Sequence, residues 1–252
     1  MYHFFVESHQ VSPDCKTVEI TGNDYNHIAH VLRMKVGEQF SVSIREEEPA
    51  RELFYEIETI TDSSVTGKLC FIEEVGNELP SKIYLFQGLP KVDKMELIIQ
   101  KAVELGAYRI IPMSTKRCVV KLDEKKAVNK QKRWQAISEA AAKQSKRGII
   151  PEVEMPITMK QAVEYCKKEN IDVRLIPYEM AEDISVTKSI IDNIRPGQSI
   201  AVFIGPEGGF SEDEINLCLE NDIKPITLGK RILRTETAGF TAISWLMYHL
   251  ES

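Results

Sequence analysis

No stretch of about eighteen uninterrupted apolar residues occurs in the chain, so no helix of it is expected to span a bilayer. The five cysteines, Cys15, Cys70, Cys118, Cys166 and Cys218, are odd in number, far apart and without a C-x-x-C pair, which removes the ligand sets of zinc, iron–sulfur and dithiol chemistry. They read as reduced thiols, most of them core filler. No G-x-G-x-x-G follows an early strand and no G-x-x-x-x-G-K-[ST] is present, so the dinucleotide and P-loop readings lose their signatures. His27 and His30 have an i, i+3 spacing that suits a metal, yet no third ligand lies nearby, and no metal is expected. The start, Met1-Tyr-His-Phe-Phe-Val-Glu, lacks the charged and apolar regions of a signal peptide, which leads to the expectation of a cytoplasmic protein. Internal repeats and low-complexity tracts are also missing.

What is present is a globular composition. With 252 residues and 43% hydrophobic content, the chain can bury one large core or two modest ones. Residues 1–72 alternate apolar and polar side chains in runs such as Gln39 to Ile44, Leu53 to Ile57 and Ser64 to Phe71, the period of strands, and imply a small β-barrel. Between them Asn23 to Met34 reads as a short helix. The segment 73–81 is polar, contains Pro80 and reads as a linker. From residue 82 to 252 strands alternate with helices: strands at Ile83 to Gln87, Arg109 to Pro112, Ile171 to Ile176, Ser199 to Ile204 and Lys224 to Leu228, and helices at Val92 to Leu105, about Lys130 to Lys146, Met159 to Lys168 and Thr235 to Leu250. This order predicts an α/β fold with a parallel sheet covered on both faces. Phe240, Ile243, Leu246 and Met247 form the expected apolar stripe of the last helix.

The net charge of −6 speaks at first against a nucleic-acid partner, but its distribution matters more than its sum. From Lys116 to Arg147 eleven Lys or Arg face three acids, a local +8 that leaves −14 elsewhere. Lys125, Lys126, Lys130, Lys132, Arg133, Lys143, Lys146 and Arg147 lack balancing acids at i+4, which favours a phosphate-facing surface over a merely solvated helix face.

Two blocks near the carboxyl end carry the most chemistry. Phe203-Ile-Gly-Pro-Glu-Gly-Gly-Phe-Ser-Glu-Asp-Glu214 and Leu228-Gly-Lys-Arg-Ile-Leu-Arg-Thr-Glu-Thr-Ala238 each follow an apolar strand and run into a helical pattern. Both are therefore loops at the carboxyl ends of strands, where open α/β sheets put ligands. Gly205, Gly208 and Gly209 around Pro206 allow a tight turn and close approach of backbone to a bound molecule, and Ser211 with Glu214 forms a capping box for the next helix. Arg231 and Arg234 flank Ile232 and Leu233, a placement that suits phosphate or a base edge better than a packed core.

At these residues the chain resembles the bacterial small-subunit ribosomal RNA methyltransferases of the RsmE type, within the SPOUT superfamily, which modify N3 of a uridine, U1498, in 16S rRNA. The matching positions are Ile204-Gly-Pro-Glu-Gly-Gly-Phe-Ser211 with Glu214, and Leu228-Gly-x-Arg-Ile-Leu-Arg-Thr-Glu-Thr-Ala238. Further matches, in the family's order, are His30-Val-Leu-Arg33, Gly37, Lys91, Lys94, Glu96, Gln100-Lys101, Glu104-Leu-Gly106, Glu139-Ala140, Gln144, Ser145 and Arg147. The resemblance implies a PUA-like RNA-binding barrel at 1–72 and a SPOUT methyltransferase domain at 82–252 with a deep trefoil knot, a topology that periodicity cannot reveal. It also implies S-adenosylmethionine as methyl donor, the 16S rRNA of the small ribosomal subunit as substrate, and a homodimer, with no membrane and no metal.

Carried over residue by residue, the donor is expected against Ile176, Pro177, Tyr178 and Glu179, against Gly205, Pro206, Glu207, Gly208 and Gly209, and against Leu228, Gly229, Ile232, Leu233, Thr237 and Ala238. Arg234 is the candidate beside the target uridine, with an ion pair to Glu236 or Glu207 as its structural alternative. Those two carboxylates are the candidate proton acceptors; the sequence does not choose between them, and solvent is a third option. His30, Arg33, Lys91, Lys94 and Arg147 are candidates for holding RNA, although His30 beside Val31 and Leu32 equally suits packing. Gln100, Lys101, Gln144 and Ser145 match the family without an individual role. Two rivals stand beside this reading: a non-catalytic RNA-binding assembly factor, which has no reason to keep Arg234-Thr-Glu-Thr-Ala238, and a ribose 2′-O-methyltransferase, which the chain-wide match disfavours.

Overall fold

The computed structural model describes residues 1–45, 47, 50–74, 76–91, 94–178 and 183–252. The expected helix start at Val92 and the candidate Glu179 lie outside the described residues. Contacts divide the chain into two compact units, residues 1–78 with 142–150, and residues 79–141 with 151–252.

In the first unit, five strands, β1 (Tyr2–Val6), β2 (Thr17–Thr21), β3 (Gln39–Ile44), β4 (Arg51–Ile60) and β5 (Ser64–Glu74), form one sheet in the order β1-β3-β4-β5-β2. β1 pairs with β3 in parallel and the other pairs are antiparallel. The end strands β1 and β2 do not pair with each other, so the expected barrel is open. Alternation works as the sequence implies: in β2, Val18 and Ile20 point into a core with Phe4, Phe40, Val42, Leu53, Tyr55, Ile57 and Val65. Gly67 is required there, since a Cβ would lie 2.9 Å from both Phe40 Cζ and Tyr55 Cβ. β5 carries on through Glu73 and Glu74, residues that polarity alone puts in the linker. The helix expected at Asn23 to Met34 is one α-turn, α1 (Gly22–Asn26), running into a π-helical stretch, His27–Leu32, that Arg33 ends in a left-handed conformation, φ 55°.

The second unit is a parallel sheet with strand order β12-β10-β11-β6-β7-β8, to which the two-residue β9 (Ile157–Thr158) adds alongside β7. The strands are β6 (Lys82–Gly88), β7 (Ala107–Ser114), β8 (Glu152–Val153), β10 (Val173–Pro177), β11 (Ser199–Ile204) and β12 (Lys224–Ile226). The helices are α2 (Lys94–Glu104), α3 (Glu124–Gln144), α4 (Met159–Lys168), α5 (Ile184–Asp192), α6 (Glu212–Leu219) and α7 (Thr235–Glu251). Central β6 and β11 are buried almost end to end, which is why they read as unbroken apolar runs; Phe86 and Phe203 stack between them at 4.5 Å. β11 lies between β6 and β10, and the chain order reverses direction beside β6, the place where open sheets bind ligands. In α7 the buried face is Thr235, Gly239, Ala242, Ile243, Leu246 and Leu250. Phe240 and Met247, expected in the apolar stripe, are only half-buried.

Candidate active site

Because the sheet is parallel, the carboxyl ends of β6, β7, β10, β11 and β12 open on one edge, and both sequence blocks lie there. The first block turns tightly at Gly205–Gly209, closed by the Gly209 amide donating to the Pro206 carbonyl at 2.9 Å, with Gly209 at φ +66°. Ser211 and Glu214 make the expected capping box: the Glu214 amide donates to Ser211 Oγ, and Glu214 Oε2 accepts from the Ser211 amide at 2.8 Å. The turn is braced from the β7 side as well. The Lys116 amide donates to buried Glu214 at 2.8 Å, and Arg117 Nη1 donates to the Gly208 carbonyl at 3.0 Å.

The second block is an irregular loop from Thr227 to Arg234. The Tyr178 amide donates to the Ile226 carbonyl at 3.0 Å, and Gly229 takes φ +105°. Leu228 and Leu233 are half-buried, and Gly229, Arg231 and Thr237 are exposed. Ile232 is 92% exposed, an unusual state for a large apolar side chain. Ile176 and Pro206 are buried, Pro177 and Ala238 half-buried, and Tyr178 packs against the core beside them.

Thr235, at the first position of α7, joins the two blocks. Its hydroxyl donates to the Gly205 carbonyl at 2.6 Å and accepts from Gln87 Nε2 at 2.9 Å, so the ends of β6 and β11 and the start of α7 share one buried network. Gln87 and Gly88 were not legible as site residues. A Cβ on Gly88 would lie 2.6 Å from Pro206 Cδ and 2.7 Å from Pro206 N, so the turn packs onto β6 only because Gly88 has no side chain. The one signal in the sequence is a glycine closing an otherwise apolar strand.

The charged groups meet at a single point. Lys94 Nζ lies 3.3 Å from Glu207 Oε1 and 3.2 Å from Glu236 Oε2, and the Lys91 amide donates to Glu207 at 3.1 and 3.2 Å. Burial opposes ionisation of Glu207, but hydrogen bonds from its own and the Lys91 backbone, together with Lys94, outweigh it and hold its carboxyl below the ordinary range. The hydrogen bond to Glu236, with help from Glu207, pushes Lys94 up, so the ammonium keeps its proton. The two carboxylates considered as partners for Arg234 are thus taken by Lys94. The side chain of Arg234, exposed at the N-cap of α7, makes no hydrogen bond or ion pair among the described residues.

The remaining RNA candidates separate. His30 and Arg33 are exposed in the first unit, with the His30 ring edge-on to Tyr25 at 5.7 Å. Lys91 is exposed in the second unit. Arg147 must be corrected: it is 3% exposed, its guanidinium donates to Glu78 at 2.9 Å and at closer range, and it is a structural cation rather than a surface one. Its long stem and adjacent basic residues look like a solvated patch in sequence, and nothing there announces Glu78 as its partner. Among the described residues no group of three or more His, Cys, Asp or Glu could hold a metal.

The two loops bring together a glycine turn without side chains at Gly208 and Gly209, half-buried Leu228 and Leu233, and exposed Ile232. Comparisons with known proteins match over both units. A family model described as an RNA methyltransferase domain matches residues 77–247, and one described as an RNA methyltransferase PUA domain matches residues 20–70. The Ribosomal RNA small subunit methyltransferase E of Bacillus subtilis (strain 168) is 37% identical, covering 100% of this chain and 98% of the relative. The crystal structure of a Ribosomal RNA small subunit methyltransferase E from Neisseria gonorrhoeae, bound to S-adenosyl methionine, superposes with TM-score 0.79 at 30% identity over 97% of this chain and 96% of that one. A Legionella pneumophila methyltransferase structure with bound SAM reaches TM-score 0.81 at 33% identity over 98% and 97%.

Proposed function

As a chain that belongs to the RNA methyltransferase family, it is, we propose, an enzyme that methylates N3 of a uridine in the 16S rRNA of the small ribosomal subunit, U1498 by the family's specificity, with S-adenosylmethionine as donor. The observation that carries this reading is the junction of Lys94, Glu207 and Glu236 beside two loops tied by Thr235. When bound, S-adenosylmethionine supplies an electrophilic methyl group. The residues that would hold it are the backbone of Gly205–Gly208 and of Leu228, Gly229, Ile232 and Leu233, with Ile176, Pro177 and Tyr178 behind and Thr237 and Ala238 at the start of α7.

The protein's own task is to take the uracil base out of pairing, orient it and remove the N3 proton. Glu207 already accepts from the Lys91 amide and Lys94, whereas Glu236 accepts only from Lys94 among the described residues. Glu236 therefore has the free lone pairs to take the proton, and Glu207 orients the loop after β6. Arg234, whose side chain has no partner among the described residues, faces the developing charge on the base or the adjacent phosphate. Lys94 helps the Lys91 and Glu207 backbone groups hold the Glu207 carboxyl below the ordinary range.

The same reading includes a trefoil knot formed by the last strands and α7, supported by the insertion of β11 between β6 and β10, and a homodimer. Exposed Ile232 and Tyr248 support the dimer, along with half-buried Phe240, Trp245 and Met247 on α7. The rRNA substrate argues for the cytoplasm, and no described helix is long and apolar enough to cross a membrane. The test is transfer of labelled methyl from S-adenosylmethionine to small subunits isolated from cells lacking this enzyme, with the modified nucleotide mapped by mass spectrometry. Labelled N3-methyluridine at one position is expected. Donor binding without transfer to any RNA would favour an assembly factor, and ribose methylation would reassign the acceptor.

A further inference from the structure

The glycine turn after β11 is gripped from the β7 side by one arginine. Arg117 Nη1 donates to the Gly208 carbonyl at 3.0 Å, and the stem of the side chain lies along the turn. A Cβ on Gly208 would come 3.1 Å from Arg117 Cβ and 3.7 Å from its Cδ, so the bare backbone there makes room for the arginine. The loop that carries Arg117 is held by its neighbours. The Cys118 amide donates to the Thr115 carbonyl at 3.1 Å, the Lys116 amide donates to Glu214 at 2.8 Å, and Lys116 Nζ is paired with Asp213.

Arg117 itself is exposed and takes no carboxylate. Of the three acids that open α6, Asp213 is bound by Lys116, Glu214 is buried on the Lys116 and Ser211 amides, and Glu212 is exposed. No ion pair to Arg117 occurs among the described residues. A guanidinium anchored through Nη1 keeps its Nε–Nη2 edge for a second partner, and that fork matches two oxygens of a phosphate. Sheet order says which side it serves. The donor loops follow β10, β11 and β12, whereas β6 and β7 lie on the other side of β11, and exposed Lys91 follows β6 there. Glu207, part of the carboxylate junction, directly precedes Gly208.

We propose that Arg117 binds a backbone phosphate of the RNA next to the target uridine and, through Gly208, couples RNA binding to donor binding. The proposal rests on the methyltransferase reading above and adds a residue that joins the two substrates. One peptide makes the connection. In a trans peptide the C=O and N–H point in opposite directions. Arg117 holds the Gly208 carbonyl, and the Gly209 amide of the same peptide donates to the Pro206 carbonyl, the bond that closes the turn. A phosphate that immobilises the guanidinium therefore orders the turn on which the donor rests, and by linkage a bound donor tightens RNA by the same factor.

The test measures binding of fluorescein-labelled small-subunit rRNA to the full-length enzyme across a salt series, with and without saturating S-adenosylhomocysteine, the donor after transfer. Wild type should bind RNA about fivefold or more tighter when that product is present. Arg117→Ala should weaken RNA binding, flatten the slope of log K against log salt by about 0.7, and abolish the effect of the product. Arg117→Lys keeps a charge without the fork, so its slope should stay at the wild-type value while the product effect still vanishes. An arginine that only braces the turn would, as Ala, lower donor affinity and leave RNA affinity and slope untouched, which would overturn the phosphate contact. No product effect in the wild type, or a full one in Arg117→Lys, would overturn the coupling. Wild-type enzyme that transfers no methyl group to small subunits would instead sink the underlying reading, and the RNA affinities of Arg117→Ala and wild type would still decide the phosphate contact.

Discussion

At the scale of single residues, the division of work between two carboxylates is the point most open to experiment. Among the described residues Glu207 has donors from Lys91 and Lys94, while Glu236 has Lys94 alone. Glu236→Gln should therefore lower kcat by roughly 10²–10⁴-fold, the usual worth of a positioned general base, with donor affinity nearly unchanged. Glu207→Gln should shift donor and RNA affinities together with rate, because it loosens the loop after β6. Initial rates against both substrates separate the two, and equal behaviour of the variants would refute the assignment. Thr235 permits a second measurement. Thr235→Val leaves the Gly205 carbonyl without its donor and Gln87 Nε2 without one acceptor in a buried network, a loss of about 1–3 kcal/mol per orphaned group. Calorimetry should show donor binding weakened by about tenfold or more, and Thr235→Ser, which keeps the hydroxyl, should restore it.

At the scale of elements, the loop at Gly205–Gly209 is set by what β6 allows. Gly88→Ala places a methyl group 2.6 Å from Pro206 Cδ and against Pro206 N, backbone that cannot swing aside, and overpacking of that kind costs about 1–3 kcal/mol. A lower Tm and loss of donor binding are expected, while Gly76→Ala, where a Cβ meets nothing within 4 Å, should change neither. Elements defined by one strong pattern were legible beforehand: β11 at Ser199–Ile204 and α4 at Met159–Lys168 have the bounds that apolar runs and helical spacing give. Others were masked by competing signals. α3 begins at Glu124, well before Lys130, because Asp123 accepts from the Lys126 amide at 2.8 Å and starts the helix within a stretch that reads only as basic. The π-helical stretch at His27–Leu32 has no spacing signature at all. In the site, the glycine turn and the capping box follow from local sequence, but Lys94 meets Glu236 across 142 positions, and no periodicity encodes such a meeting.

At the scale of the whole molecule, the question is how a chain of net charge −6 holds a polyanion. The basic stretch is smaller in effect than its count suggests. Lys126 is paired with Asp123, Arg133 with Glu96, Lys143 with Asp24, and Arg147 is buried on Glu78. Lys125 and Lys132 are exposed and have no partner among the described residues, so they are the cations of α3 most free to displace counterions from RNA. Each phosphate contact on a single strand contributes about 0.7 to the slope of log K against log salt. Replacing Lys125 and Lys132 together by Ala should therefore weaken RNA binding and flatten that slope by roughly 1.4 if each meets one phosphate, with no change in donor affinity. Fluorescence anisotropy of labelled rRNA across a salt series measures both quantities. A slope equal to that of the wild type would move the phosphate contacts to other cations, with exposed Lys91, Arg33 and Arg234 as the set to vary next.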